Sequence, residues 1–202
     1  MIVIVDYGLG NLQSVRNGFV AAGFDTPISS DPGDLARASG LVLPGVGAFG
    51  QAMENLRRTG LASMLVERVR QGVPLLGICL GLQLLFEGSE EMGDHAGLGL
   101  LPGKVVLFRN GRKVPQVGWN DLLIRRPHPL LEGIKSGDYV YFVHSYYVGS
   151  CDGEAVLATA NYGVEFPAVV GRGHVFGLQF HPEKSSRLGI RILSNFGGLA
   201  SC

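Results

Sequence analysis

The chain has 202 residues, 46% of them hydrophobic and 17% charged, which excludes a disordered chain and leaves ample apolar mass for a core. Lys+Arg and Asp+Glu each number 17, for a formal net charge of +0, and a neutral chain without a basic run argues against nucleic-acid and membrane-surface binding. The length fits one large domain, read here as residues 1–202.

Short apolar runs alternate with helical patterns from the start. Ile2 to Val5 reads as a buried strand and Asp6 to Gly10 as a turn. Leu12, Val15, Phe19 and Val20 then space as one helix face. Phe24 to Ile28 predicts a second strand, and Leu41 to Leu43 a third, stopped by Pro44-Gly45-Val46-Gly47. Met53, Leu56, Leu61, Leu65 and Val69 predict helical turns to about Arg70, broken near Gly60. Val73 to Ile78 reads as a fourth strand, and Leu80 to Phe86 opens a helix. Continuous apolar strands between helices predict a parallel sheet covered on both faces. After Gly103 the strand-like runs are Val105–Phe108, Val114–Val117, Tyr139–Val143, Ala155–Thr159, Ala168–Val170 and Val175–Leu178, with helix returning only over Leu188 to Phe196. The expected class is α/β: one domain, a mostly parallel central sheet flanked by helices, and added antiparallel strands in the C-terminal half.

The start, Met1-Ile2-Val3-Ile4-Val5-Asp6, has no positive n-region and predicts no signal peptide. The most apolar stretch, Val73 to Phe86, is too short for a membrane span and is interrupted by Pro74, Gly77, Gly81 and Gln83. Cys79, Cys151 and Cys202 are scattered without CxxC spacing, so neither a disulfide framework nor a zinc site is expected, and a cytoplasmic location is. Gly8-Leu9-Gly10 is not completed as a dinucleotide fingerprint, because position 13 is Gln13. His95, His128 and His174 lack ligand spacing, so no metal and no cofactor are expected.

Chemistry concentrates in three segments. Gly77-Ile78-Cys79-Leu80-Gly81 has the form of a nucleophile elbow between strand and helix. The turn would expose Cys79, the glycines would remove colliding side chains, and the helix starting at Leu80 would favour a thiolate. A buried structural cysteine is the competing reading. In Gln179-Phe180-His181-Pro182-Glu183, Pro182 biases His181 toward extended backbone, so His181 and Glu183 could share a side as base and orienting carboxylate. A surface histidine beside an unrelated glutamate is the alternative. Pro44-Gly45-Val46-Gly47 ends a strand where related sheets offer an oxyanion N–H, with the N–H of Leu80 as second donor; a plain Pro-Gly turn competes.

These segments, in this order, resemble the class I (triad) glutamine amidotransferases. The resemblance implies a Cys79–His181–Glu183 triad hydrolysing L-glutamine to glutamate and ammonia. It also implies oxyanion donors at Gly47 and Leu80, and a grip on the amino-acid end of glutamine by Gln83 and the backbone around Ser145 and Tyr146. His144 is given no catalytic role. Asp6-Tyr7-Gly8-Leu9-Gly10-Asn11-Leu12, Pro44 to Phe49, Pro115-Gln116-Val117-Gly118-Trp119-Asn120 and His181-Pro182-Glu183-Lys184-Ser185 narrow the resemblance to the glutaminase subunits of histidine biosynthesis. Their partner is a separate (β/α)₈ cyclase subunit that receives ammonia. The motifs run from residue 44 to 183, which leaves little chain for an acceptor site and points the same way. Asn11, Arg16, Trp119 and Lys184 are the candidates for the partner-facing surface, core packing being the alternative for Trp119. Other triad glutaminases, a cysteine peptidase-like hydrolase and a non-enzymatic binding module remain the competing classes.

Overall fold

The computed structural model describes residues 1–201, so Cys202 lies outside the described residues. In chain order the elements are β1 (Ile2–Val5), α1 (Leu12–Ala21), β2 (Ile28–Ser29), α2 (Pro32–Arg37), β3 (Gly40–Gly45), α3 (Phe49–Arg58), α4 (Leu61–Arg70), β4 (Leu75–Cys79) and α5 (Leu80–Leu84). Then follow β5 (Phe86–Ser89), β6 (His95–Ala96), β7 (Leu101–Leu107), β8 (Gln116–Asp121), β9 (Leu123–Ile124), β10 (Tyr139–His144), β11 (Tyr146–Cys151), β12 (Val156–Asn161), β13 (Glu165–Arg172), β14 (Val175–Leu178) and α6 (Ser186–Leu199). An 8-stranded sheet in the order β2-β1-β3-β4-β14-β13-β12-β9 forms the centre. It is parallel from β2 to β14 and antiparallel beyond.

The apolar strand runs divide between two cores because alternate residues face opposite ways. Ile2, Ile4, Val42, Leu76 and Ile78 pack with Val15 and Phe19 of α1 and Ile192, Leu193 and Phe196 of α6. Val3, Val5, Leu41, Leu43 and Leu75 pack on the other face with Leu35, Phe49, Met53, Leu56, Leu61 and Leu65 from α2, α3 and α4. Two smaller sheets, β10-β8 and β11-β7-β5-β6, stand beside the central one.

Several expectations need correction. The second strand is only Ile28–Ser29, not Phe24 to Ile28: the Phe24 N–H is taken by Phe19 O at the end of α1, and Pro27 has no N–H to offer. Val20 is 54% exposed; the buried stripe of α1 runs through Val15, Gly18 and Phe19 instead. The helix after Cys79 ends at Leu84, and Phe86 begins β5. The fourth strand starts at Leu75, after Val73 closes α4 on Arg68 O and Pro74 interrupts. The run at 114–117 becomes Gln116–Asp121, beyond Pro115. Val175–Leu178 forms as expected and joins the two parts of the sheet, pairing parallel with β4 and antiparallel with β13. The short helix α2 had no periodic signal.

Candidate active site

Open parallel sheets place ligands at the carboxyl ends of their strands. Here a cavity of about 340 Å³ lies over the ends of β3 and β4, lined among others by Val46, Gly47, Cys79, Leu80, Gln83 and Glu91. His144, Ser145, Tyr146, His181 and Lys184 complete it from later segments.

Cys79 sits at the last position of β4 with φ +56 and ψ −110, backbone that an L residue holds only when its surroundings force it. The forcing is steric. A β-carbon on Gly77 would stand 2.5 Å from Gly81 O, and one on Gly81 would stand 1.7 Å from Leu43 O. The elbow closes only with glycine at both places. The thiol is 7% exposed, its sulfur 3.8 Å from Val143 O and hydrogen-bonded to His181. Helix α5 has only 5 residues, so its dipole contributes less to a thiolate than a long helix would.

His181 Nδ1 and Glu183 Oε1 are 2.9 Å apart, which leaves Nε2 for Cys79. The carboxylate and imidazole meet differently from the expected extended pair: His181 is extended at φ −94 and ψ 99, but Pro182–Lys184 form a 3₁₀ turn that folds Glu183 back. The Glu183 side chain is only 2% exposed. It is enclosed where Gly18 of α1 and Gly189 of α6 admit the turn; a β-carbon on Gly189 would reach 1.8 Å from Pro182 O. Burial lowers the His181 pKa, but hydrogen bonds to Cys79 and Glu183, and then the charges of both, raise it to about 10. The site thus favours an imidazolium beside Cys79.

The glycine segment borders the cavity from the end of β3. Tyr7 donates its hydroxyl to Pro44 O at 2.9 Å, and burial followed by the Cys79 charge keeps that phenol protonated well above its ordinary range. Gly47 has φ +97, and a β-carbon there would meet nothing within 4 Å. Its glycine is required by conformation, whereas that of Gly45 is required by space, since a β-carbon would stand 2.7 Å from the Tyr7 hydroxyl.

Gln83 is buried and donates to Tyr146 O at 2.9 Å and to Gln179 Oε1 at 3.2 Å. Ser145 O accepts the Phe108 N–H at 3.1 Å. The side chain of Gln83 therefore braces the Ser145–Tyr146 backbone against the cavity. Glu91 was not anticipated: its carboxylate accepts the Phe49 N–H at 2.7 Å and gives the cavity a negative wall. No local motif marks it, because β5 turns it back over α3. His144 also lines the cavity, with Nδ1 2.8 Å from Tyr146 O. Burial lowers its pKa to about 4, against the Tyr146 hydrogen bond and with help from the His181 charge, so the ring is neutral at pH 7.

Among the partner-surface candidates, Lys184 lies at the mouth and Asn11 is exposed at the start of α1. Trp119 is 52% exposed, which sets aside the core-packing alternative. Arg16 reaches Asp25 at 3.5 Å on the surface. Among the described residues no cluster of metal-ligating side chains occurs, and no helix is long and apolar enough to cross a membrane.

A strained cysteine turn, a His–Glu pair and a glycine segment meet at the ends of adjacent parallel strands, and the glutamine amidotransferase class-I family matches residues 3–197. The chain belongs to that family. It is 53% identical over 205 residues to the imidazole glycerol phosphate synthase subunit HisH of Geobacillus sp. (strain WCH70), covering 98% of this chain and 97% of the relative. The HisH subunit of Moorella thermoacetica is 52% identical, covering 98% and 94%. Among solved structures, a glutamine amidotransferase superposes with a TM-score of 0.80 at 24% identity over 100% of both chains. PurLQS from Thermotoga maritima gives 0.78 at 21% identity, covering 98% of each chain; at such identities the likeness concerns the fold.

Proposed function

We propose that this chain is the glutaminase subunit of an imidazole glycerol phosphate synthase, hydrolysing L-glutamine and passing ammonia to a cyclase subunit. The observation that carries the chemistry is the hydrogen-bonded line Cys79–His181–Glu183 at one wall of the cavity. The near-full-length likeness to HisH subunits supports the place in histidine biosynthesis.

In this reading the Cys79 thiolate attacks the carbon of the glutamine carboxamide. Charge develops on the carboxamide oxygen, which the N–H groups of Leu80 and of the Gly47 segment receive; such a donor is worth about 3–4 kcal/mol of barrier. His181 gives its Nε2 proton to the departing nitrogen as the C–N bond breaks, leaving ammonia and a thioester on Cys79. The imidazole, now neutral, takes a proton from water that attacks the thioester. The C–S bond breaks, glutamate leaves and the thiolate returns. Glu183 holds the ring throughout. Glu91 offers the negative group for the substrate's α-ammonium, and the braced Ser145–Tyr146 backbone offers polar groups to its α-carboxylate.

Ammonia released to water protonates and loses its nucleophilicity, so a partner must cover the mouth. Val46 lines the cavity, and Val114, Val117, Trp119 and Tyr139 are exposed large apolar residues on or just before the paired strands β8 and β10, which carry the chain toward Val143 and His144 of the cavity wall. With Asn11, Arg16 and Lys184 they form the surface we assign to a (β/α)₈ cyclase in a cytoplasmic heterodimer. We read residues 1–202 as one amidotransferase domain, without cofactor, whose turnover answers to its partner. The test is production of glutamate from glutamine by the chain mixed with the cyclase subunit, against the same mixture with Cys79→Ser.

A further inference from the structure

Ser185 lies next to the cavity without lining it, and the reaction just described gives it no part. It is fully buried at 0% exposure. Its hydroxyl accepts the Tyr141 N–H at 3.0 Å and donates to His181 O at 2.6 Å. The His181 N–H meanwhile donates directly to Tyr141 O at 2.9 Å. Facing residues in an antiparallel hydrogen-bonded pair exchange both N–H···O bonds directly. Here one bond is direct, and the Ser185 hydroxyl stands in the path of the other. A hydroxyl has one proton and two lone pairs, so it can relay that bond while spacing the two chains apart.

The spacing is asymmetric, and that is its consequence. At its N–H the His181 backbone meets β10 directly; at its carbonyl it is held one hydroxyl further away. Ser185 is itself fixed from both sides: its N–H donates to Pro182 O at 3.0 Å, and its carbonyl accepts the Gly189 N–H at 3.1 Å. The next residue, Ser186, is forced to φ +54, a conformation that persists only where neighbours over-determine it.

We propose that Ser185 is a positioning residue, its hydroxyl wedged between Tyr141 and His181 so as to set the imidazole against Cys79. The inference rests on the glutaminase reading above. Without the hydroxyl, Tyr141 N–H and His181 O can bond directly, and the imidazole moves with the backbone. Glu91 belongs to another segment, and the Ser145–Tyr146 backbone, although it continues β10, is held separately by Gln83 and by the Phe108 N–H, so the glutamine-binding groups stay in place.

The experiment compares Ser185→Ala, Ser185→Cys and Ser185→Thr in the full chain with the cyclase subunit and its nucleotide substrate, reading kcat and KM for glutamine and the melting temperature of each variant. Ser185→Ala and Ser185→Cys lower kcat at least tenfold with KM within twofold of wild type, and Ser185→Thr, which keeps the hydroxyl, stays within threefold. The cysteine variant keeps the bulk of serine and carries the comparison if the alanine variant does not fold. A folded alanine or cysteine variant with kcat within threefold of wild type overturns the proposal. So do a rise in KM at unchanged kcat, a threonine variant as impaired as alanine, or failure of both small variants to fold, which marks a structural role. A wild-type chain that does not turn over glutamine overturns the glutaminase reading itself.

Discussion

Gly81 lies so close to β3 that a β-carbon on it would stand 1.7 Å from the Leu43 carbonyl oxygen. The nucleophile turn is therefore pressed against the neighbouring strand, and the backbone of Leu43 cannot yield without disturbing its pairing with Gly77. Gly81→Ala should cost more than about 3 kcal/mol, beyond ordinary overpacking. At about 2–4 °C per kcal/mol for a chain of this size, the melting temperature falls by roughly 6–12 °C or more. Gly47→Ala meets no atom within 4 Å and carries only backbone strain, about 1–2 kcal/mol. Thermal unfolding of the two variants separates the effects.

Cys79→Ser should abolish glutamine-dependent synthesis by the reconstituted pair and leave ammonia-dependent synthesis at the wild-type rate. On the proposed function the acceptor chemistry belongs to the cyclase, so only the ammonia supply is lost. Product formation with glutamine, then with an ammonium salt at alkaline pH, measures both.

Trp119 meets Tyr141 edge-on, ring centroids 5.8 Å apart, and is otherwise half open to solvent. Trp119→Ala should weaken cyclase binding by at least ~2 kcal/mol, about 30-fold in Kd. The melting temperature of the isolated chain should change by less than about 4 °C, as for a loss of under 1 kcal/mol. Titration calorimetry and thermal unfolding together check this; a large loss of stability with unchanged affinity contradicts the surface role.

The two buried histidines make stability depend on pH in opposite ways. His181, raised from 6.5 to about 10, binds more protons folded than unfolded between these values. Its contribution is full below about 6.5 and is lost as pH rises through about 10. His144, lowered from 6.5 to about 4, is protonated first in the unfolded chain, so its contribution is lost as pH falls from about 6.5 through 4. The melting-temperature gap between wild type and His181→Asn should narrow from pH 7 to pH 10, and wild type should lose stability below pH 6.5 less steeply once His144 is replaced by Gln.

The central strands β1, β3, β4 and β14 and the three motif segments were legible because each is local, whereas β6, β9 and β11 carried no such run. Apolar runs report burial, and Gly77 and Gly81 flank Cys79 within one turn. Glu91, the bracing of Tyr146 by Gln83 and the Ser185 wedge were not, because each depends on a contact between segments distant in sequence. Gln83 and Tyr146 are 63 positions apart, and Ser185 and Tyr141 are 44 apart. The His181–Glu183 pair was anticipated on extended-chain grounds, yet it is a turn that makes it, because Pro182 opens a 3₁₀ segment. Phe24 reads as strand by composition and is drawn instead to the end of α1, since the Phe19 carbonyl accepts its N–H together with that of Ala22.

Gly47 holds φ +97 with open space around it, and glycine on that side of φ can reorient at little steric cost. A partner can therefore turn the adjoining peptide so that an N–H faces the oxyanion, and one such donor is worth about 10²–10³ in rate. The most direct measurement is steady-state glutamine hydrolysis by the chain alone, with the cyclase subunit, and with the cyclase subunit and its nucleotide ligand. Turnover should be low alone and rise on the order of 10²-fold or more in the full mixture, and Cys79→Ser should remove it throughout. Equal turnover in all three mixtures would contradict the partner-dependent switch, and hydrolysis surviving in Cys79→Ser would contradict the assignment of the nucleophile.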